Sequence, residues 1–375
     1  MNCGYCYAQG GDYGGGERRI SPSLAIRKVS EVANVHHIIK SIQFIGGEPL
    51  LNLPAIRAVC EFSTKLFKEG VLDERPNLSA VTNLTVLTDE HIAVFCEYDV
   101  SLTISLDGDK DIHDITRPTK TGKGTHQTIL NNIDRLKKAN IKYSFEATYT
   151  KAHYDKSITI VQILKYLSSF SPERIDVTVV STDKKSVLGF SNKKEQQIIV
   201  QYHIEAIDFV LRELSNGRIV PYGFLSDIIG YIKTESSQYF CPAGISNLAI
   251  ASDGNIYGCH MFTNNNNYLV TDICKGETNG KSDVFMDIPV ILTNNETTYL
   301  KKKQFSQCQE CWVFLWCRGC LGNMEIRSPS QPKPFNQHCE LMKRSFEYVI
   351  QRLPDAIDMY VNAIQKPNKA NALGQ

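Results

Sequence analysis

The chain has 375 residues, 42% hydrophobic and 22% charged, enough for two or three domains with sizeable cores. Lys plus Arg number 41 and Asp plus Glu 40, for a net charge of +1. That balance gives no overall reason to bind nucleic acid or an anionic membrane. The sequence has no apolar run long enough to span a bilayer, and MNCGYCYAQGGDYGGG lacks the apolar core of an export signal. The expected setting is therefore a reducing cytoplasm, where disulfides do not persist, with no nucleic-acid or membrane partner.

Along the chain, residues 21–37 have a helical pattern. Leu24, Ile26, Val29, Val32 and Val35 form its apolar face, Ser21 is the N-cap and Pro22 the first helical residue. A strand over 41–45 ends at Gly46-Gly47, and a helix over 54–69 ends at Gly70. Strands at 78–82, 100–105, 142–150 and 174–181 then alternate with helices at 88–96, 125–139, 155–168 and 192–215. Strand–helix repetition predicts a parallel sheet covered by helices, either open or curled into a barrel. After Gly217 the alternation stops and Cys, Asn and Gly become frequent, which places a domain boundary near 216–236. Asn264–Asn267 reads as a solvated loop, and LAIASDGNIY (248–257) as a hairpin turning at Asp253-Gly254. A last helix is expected over 338–364, followed by a polar, frayed tail.

The chemistry lies in twelve cysteines: Cys3, Cys6, Cys60, Cys96, Cys241, Cys259, Cys274, Cys308, Cys311, Cys317, Cys320 and Cys339. In a reducing compartment, cysteines at such short spacings read as metal ligands or redox centres. Cys3-Gly4-Tyr5-Cys6 alone fits a zinc knuckle, a redox pair or part of an iron–sulfur site. Gly46-Gly47-Glu48-Pro49 follows a strand, so a ligand can approach its backbone closely, and its carboxylate sits where such folds bind ligands. An ordinary strand-to-helix turn reads the same way.

Taken together, these residues resemble the radical S-adenosylmethionine (radical SAM) enzymes. Cys3-Gly4-Tyr5-Cys6-Tyr7-Ala8 is similar to the last two cysteines of their CxxxCxxC cluster motif, and Gly46–Pro49 to their glycine-rich motif for the methionine amino group. Ser105-Leu106-Asp107-Gly108 resembles the segment facing the cofactor, and residues 107–136 the loop and helix of the peptide-modifying branch. The motif's first cysteine would lie four positions before Cys3, upstream of Met1, along with the strand leading into it. The expectation is thus an N-terminally truncated form of a functional enzyme, itself inactive.

The second half resembles the SPASM extension of such enzymes, through Cys241, Cys259, Cys308-x2-Cys311-x5-Cys317-x2-Cys320 and Cys339. The last interval in that run is two residues where three is usual. The resemblance implies one auxiliary four-iron cluster on Cys241, Cys259 and Cys320, and another on Cys308, Cys311, Cys317 and Cys339. A zinc site on Cys308, Cys311, Cys317 and Cys320 is the competing reading. Cys274 is a buried small residue or a further ligand, and Cys60 and Cys96 are assigned to packing. His113, Asp114 and Arg117 read as loop ion pairs, and Lys301–Lys303 as a solvated turn. Gly122-Lys123-Gly124 is a weak phosphate-loop signal, and His36-His37 reads as helix capping. Glu146 and Thr148 end an inward-facing strand, where contact with cofactor or substrate is a minority reading.

The implied fold is α/β: a partial (β/α)6 radical SAM barrel with its first strand missing (1–220), then a small irregular α+β iron–sulfur domain (236–345) and a C-terminal helix and tail (346–375). The implied cofactors are S-adenosylmethionine and three [4Fe-4S] clusters. Cys3 and Cys6 bind one cluster, Tyr5 lies at the adenine, Gly46, Gly47 and Glu48 at the methionine end, and Ser105 and Asp107 at the ribose or carboxylate. No catalytic residue is assigned beyond the cluster. The implied function is radical modification of a peptide or protein, with a flavodoxin or ferredoxin as electron donor. Thioether formation in a ribosomal peptide leads, with formylglycine formation in a sulfatase or a non-catalytic iron–sulfur or zinc protein as alternatives.

Overall fold

A computed structural model describes all residues except 183–186, 191, 234–236, 274–289, 293–300, 330 and 366–375. Cys274 and the tail beyond Gln365 lie outside the described residues. The first sheet is parallel and takes its strands in chain order: β1 (Ser41–Phe44), β2 (Asn77–Thr82), β3 (Ser101–Ser105), β4 (Tyr143–Tyr149) and β5 (Ile175–Val179). Around it lie α1 (Pro22–Ala33), α2 (Leu53–Lys68), α3 (Asp89–Tyr98), α4 (Lys110–Thr116), α5 (His126–Lys138), α6 (Lys151–Asp155), α7 (Ile160–Ser168), α8 (Lys193–Ser215) and α9 (Gly223–Lys233). This is the expected partial barrel, with β1 at one edge. At the other edge, Ile175 N–H donates to the Pro221 carbonyl at 2.7 Å, extending the sheet by one bridge at Tyr222.

Period-two alternation decides which side of the sheet is dry. Leu102 and Ile104 of β3, Tyr143, Phe145, Ala147 and Tyr149 of β4, and Ile175 and Val177 of β5 are buried against the helices. The residues between them, Thr103, Ser105, Glu146, Thr148, Asp176 and Thr178, line a cavity on the opposite face. Each large apolar side chain buried in the helix layer contributes roughly 1.5–3 kcal/mol.

Two predicted elements differ in extent. The first helix stops at Ala33 rather than 37, and the predicted helix 155–168 is two helices. Between those two, Ser157 has φ +56°, and Thr159 starts α7 afresh by accepting from Gln162 N–H. Helices α4 and α9 were not foreseen. Helix α9 falls in the stretch read as a boundary, and its Leu225 and Ile228 join the core of the first sheet.

The remainder holds a second, antiparallel sheet of β6 (Ala249–Ile250), β7 (Ile256–Tyr257), β8 (Leu269–Ile273) and β9 (Val290–Leu292). The β6–β7 hairpin turns as read, with Gly254 at φ +88°. Short helices α10 (Ser306–Gln309) and α11 (Leu321–Arg327) flank the cysteine-rich loop, and α12 (Asn336–Gln365) lies along α8. Tyr348 donates to Asp208 at 2.6 Å across that contact. Among the described residues, no helix is long and apolar enough to cross a membrane.

Candidate active site

The cavity on the polar side of the sheet measures about 3050 Å³. One wall is the N-terminal loop. Cys6 N–H donates to Cys3 O at 3.2 Å, closing the CxxC turn. Asn2 and Gly4 N–H donate to the carbonyls of Pro118 and Thr116, laying the loop on the segment after α4. Cys3, Tyr5 and Cys6 all line the cavity. Burial pushes the Cys3 thiol above its ordinary pKa, against the pull of Arg117.

Asp107, expected among the cofactor's own contacts, is placed differently. It is 0% exposed and does not line the cavity. Its carboxylate accepts from Tyr5 OH (2.7 Å), Thr116 Oγ1 (2.7 Å) and Thr148 N–H (2.9 Å), and pairs with Arg117 Nε at 3.0 Å. Burial opposes its ionisation, but Arg117, His113 and these hydrogen bonds prevail and hold its carboxyl below the usual range. The Arg117 guanidinium also lies 5.2 Å from the centre of the Tyr5 ring. Asp107 thus ties the N-terminal loop to the ends of β3 and β4, and Arg117 makes the expected ion pair while also forming part of the cavity wall.

The glycine-rich turn after β1 faces the N-terminal loop. A Cβ on Gly11 would lie 2.3 Å from Gly47 Cα, and Gly11 has φ +106°, so the two backbones meet at a contact only glycine fits. Glu48 lines the cavity while its carboxylate accepts from Leu50 N–H, Thr82 Oγ1 and Asn83 N–H. Burial raises its carboxyl, and those hydrogen bonds pull it back. Gly46, Ser105, Glu146 and Thr148 are also in the lining. Burial raises the Glu146 carboxyl, with Arg117 acting in the opposite direction.

The C-terminal cysteines form two groups. Cys259 and Cys320 line the cavity, with Cys241 beside them in the small core. The Cys320 sulfur is 3.5 Å from the Met261 sulfur, and Cys259 sulfur 3.6 Å from His260 Nδ1. Burial raises all three thiols, to about 11 for Cys320, where Cys241 and Cys259 add their repulsion. Cys308, Cys311, Cys317 and Cys339 repel one another in the same way; burial and these neighbours raise Cys308 to about 11 and Cys317 to about 12. Among the described residues, no group of three or more His, Cys, Asp or Glu converges on a single ion. The donors in these two groups and in the Cys3–Cys6 turn are all thiols, a donor chemistry that fits iron–sulfur ligation.

Other expectations resolve locally. Cys60 is buried, but Cys96 is exposed and donates weakly to Ala139 O. Asp114 accepts from Thr125 and His126 N–H at the start of α5, as a structural residue. A Cβ on Gly124 would collide with that carboxylate, so Gly124 is packed against Asp114. His37 Nδ1 meets Val71 O, which is not a helix cap. Lys302, read as solvated, is buried. Tyr7, His260 and Met261 in the cavity lining were not foreseen, although His260 directly follows a singled-out cysteine.

Residues 1–167 match the model of the Radical SAM superfamily. This part of the chain is similar to a radical SAM domain. The chain is 24% identical over 324 residues to the cysteine-type anaerobic sulfatase-maturating enzyme of Clostridium novyi, covering 83% of this chain and 80% of that one. It superposes on the solved structure of native anSMEcpe with bound AdoMet and a peptide at TM-score 0.72 and 19% identity, over 96% of this chain and 95% of that one. With Streptococcus suis SuiB bound to S-adenosylmethionine, the TM-score is 0.57 at 17% identity, over 90% and 74%. The chain therefore shares its fold with structures solved with S-adenosylmethionine and with a peptide bound.

Proposed function

We propose that this protein is a radical SAM enzyme that installs a modification in a peptide or protein substrate. The observation carrying the reading is one cavity walled by the Cys3–Cys6 loop on one side and by Cys259 and Cys320 on another. On this reading Cys3 and Cys6 hold part of a four-iron cluster, while Gly46, Gly47 and Glu48 receive the methionine end of S-adenosylmethionine. Tyr5 lies at the adenine and Ser105 at the ribose or carboxylate, with Asp107 and Arg117 fixing Tyr5. The chemistry supplied when these groups are bound is reductive cleavage of S-adenosylmethionine to a 5′-deoxyadenosyl radical, which takes a hydrogen atom from the substrate. Cys241, Cys259 and Cys320 hold one auxiliary cluster, and Cys308, Cys311, Cys317 and Cys339 the other. A flavodoxin or ferredoxin supplies the electron.

Thioether formation is the leading reading: Cys241, Cys259 and Cys320 supply three thiols to the first auxiliary site, and a substrate thiolate would compete with Cys274 for a fourth position. A second reading, oxidation of a substrate cysteine to formylglycine, is favoured by the relative covering four-fifths of both chains, which is named as a cysteine-type sulfatase-maturating enzyme. The deciding experiment reconstitutes the full-length gene product without oxygen and adds S-adenosylmethionine, dithionite and cysteine-containing peptides. The expected results are bound iron and sulfide, 5′-deoxyadenosine and a modified peptide. Loss of two hydrogens with the sulfur retained marks a thioether, and replacement of sulfur by oxygen together with loss of two hydrogens marks formylglycine. Zinc in place of iron, or no 5′-deoxyadenosine, overturns the proposal.

A further inference from the structure

The run Lys301–Lys303 turns its middle side chain inward. Lys302 is 1% exposed, between two exposed lysines. Its ammonium donates to Ser237 O at 2.6 Å and Phe314 O at 2.7 Å, and lies 5.4 Å from the Phe314 ring centre. Among the described residues, no ion pair links it to a carboxylate. A buried cation without a counter-charge is strongly unfavourable.

The chain segments that Lys302 contacts carry cysteines. Phe314, whose carbonyl Lys302 binds, lies between Cys311 and Cys317. Phe305 N–H donates to Lys302 O and Cys308 N–H to Phe305 O, so the turn at Lys302 leads directly into the first cysteine of the set. Burial lowers the Lys302 pKa to about 8, with the charge of Arg318 adding to it, while Cys317, Cys308 and Cys311 act in the opposite direction. Neutral thiols would leave the cation uncompensated. Thiolates on a metal cluster form an anionic ensemble that balances it.

We propose that Lys302 is the built-in counter-cation of the cluster held by Cys308, Cys311, Cys317 and Cys339, and that its charge raises that cluster's reduction potential. Reduction adds a negative charge, so a fixed positive charge in a low-dielectric surrounding favours the reduced state. Lys302 is thus a positioning and tuning residue, and the inference rests on the reading that these four cysteines hold an iron–sulfur cluster.

The test uses the full-length reconstituted protein with Lys302→Gln, which keeps hydrogen-bond donors without the charge, and Lys302→Arg, which keeps the charge. Iron and sulfide are counted, and midpoint potentials are taken from redox titration followed by electron paramagnetic resonance. The relevant signal is the one lost in Cys308→Ala. Lys302→Gln is expected to keep its iron and shift the reduction equilibrium at least tenfold toward the oxidised form, about 59 mV for a one-electron couple, while Lys302→Arg stays near wild type. An unchanged potential in an iron-replete Lys302→Gln overturns the tuning role alone. Loss of the cluster from both variants overturns it in favour of a scaffold role. Absence of iron from these cysteines in the wild type removes the underlying reading.

Discussion

Asp107 accepts bonds from three parts of the chain, and one of them, Tyr5, lies inside the CxxC turn. Tyr5→Phe deletes a hydrogen bond to a charged acceptor, a loss of roughly 1.5–3 kcal/mol, but leaves the ring in place. We expect S-adenosylmethionine affinity to fall, with a smaller drop in the unfolding midpoint than Asp107→Asn gives. Asp107→Asn leaves the Arg117 charge buried without its partner, at a cost of roughly 3–5 kcal/mol, and should lower both. Equilibrium dialysis and urea denaturation separate the two variants; full cofactor affinity in Tyr5→Phe would mean that the hydroxyl does not set the ring's position. Sequence could locate a carboxylate at the end of β3. It could not show that the side chain points beneath the cavity wall, because that depends on Arg117, ten residues on, and Thr148, on another strand.

Alternation in β3, β4 and β5 and the apolar faces of α5 and α7 made most of the first sheet legible from sequence. Helices α4 and α9 were missed: α4 has seven residues, too few for a clear period, and α9 is secured by packing on β5 and α12. Helix starts are fixed by local chemistry. Thr159 accepts from Gln162 N–H while the Gln162 side chain accepts from Thr159 N–H, a reciprocal cap. Thr159→Ala should therefore destabilise the fold by about 1 kcal/mol, read as a lower urea midpoint with an unchanged slope. An equal midpoint would show that α7 is held by its buried Ile160, Ile163, Leu164 and Leu167 alone.

Across the molecule, acid should loosen the core through its buried imidazoles, His113 and His203 among them. Burial lowers His113 and His203 to about 4, from an ordinary 6.5. Between those values the unfolded chain binds protons that the folded chain does not. Stability is therefore complete above pH 6.5 and falls as the pH drops toward 4, by up to about 3 kcal/mol per histidine. Urea unfolding at stepped pH should show this fall, and His203→Leu should make the profile shallower. A profile that keeps its full slope in His203→Leu would assign the acid sensitivity elsewhere.

The sequence by itself determined the strand–helix alternation, the cysteine spacings, the GGEP turn and the hairpin at Gly254. These are written in short-range patterns of polarity, ring size and backbone freedom, which act within a few residues. Only the tertiary structure decided that Asp107 lies beneath the wall, that Gly11 must meet Gly47, that Lys302 is buried, and that cysteines hundreds of residues apart share a cavity. Those outcomes depend on which distant segment fills the adjoining space, and packing settles that only when the whole chain has closed around its core.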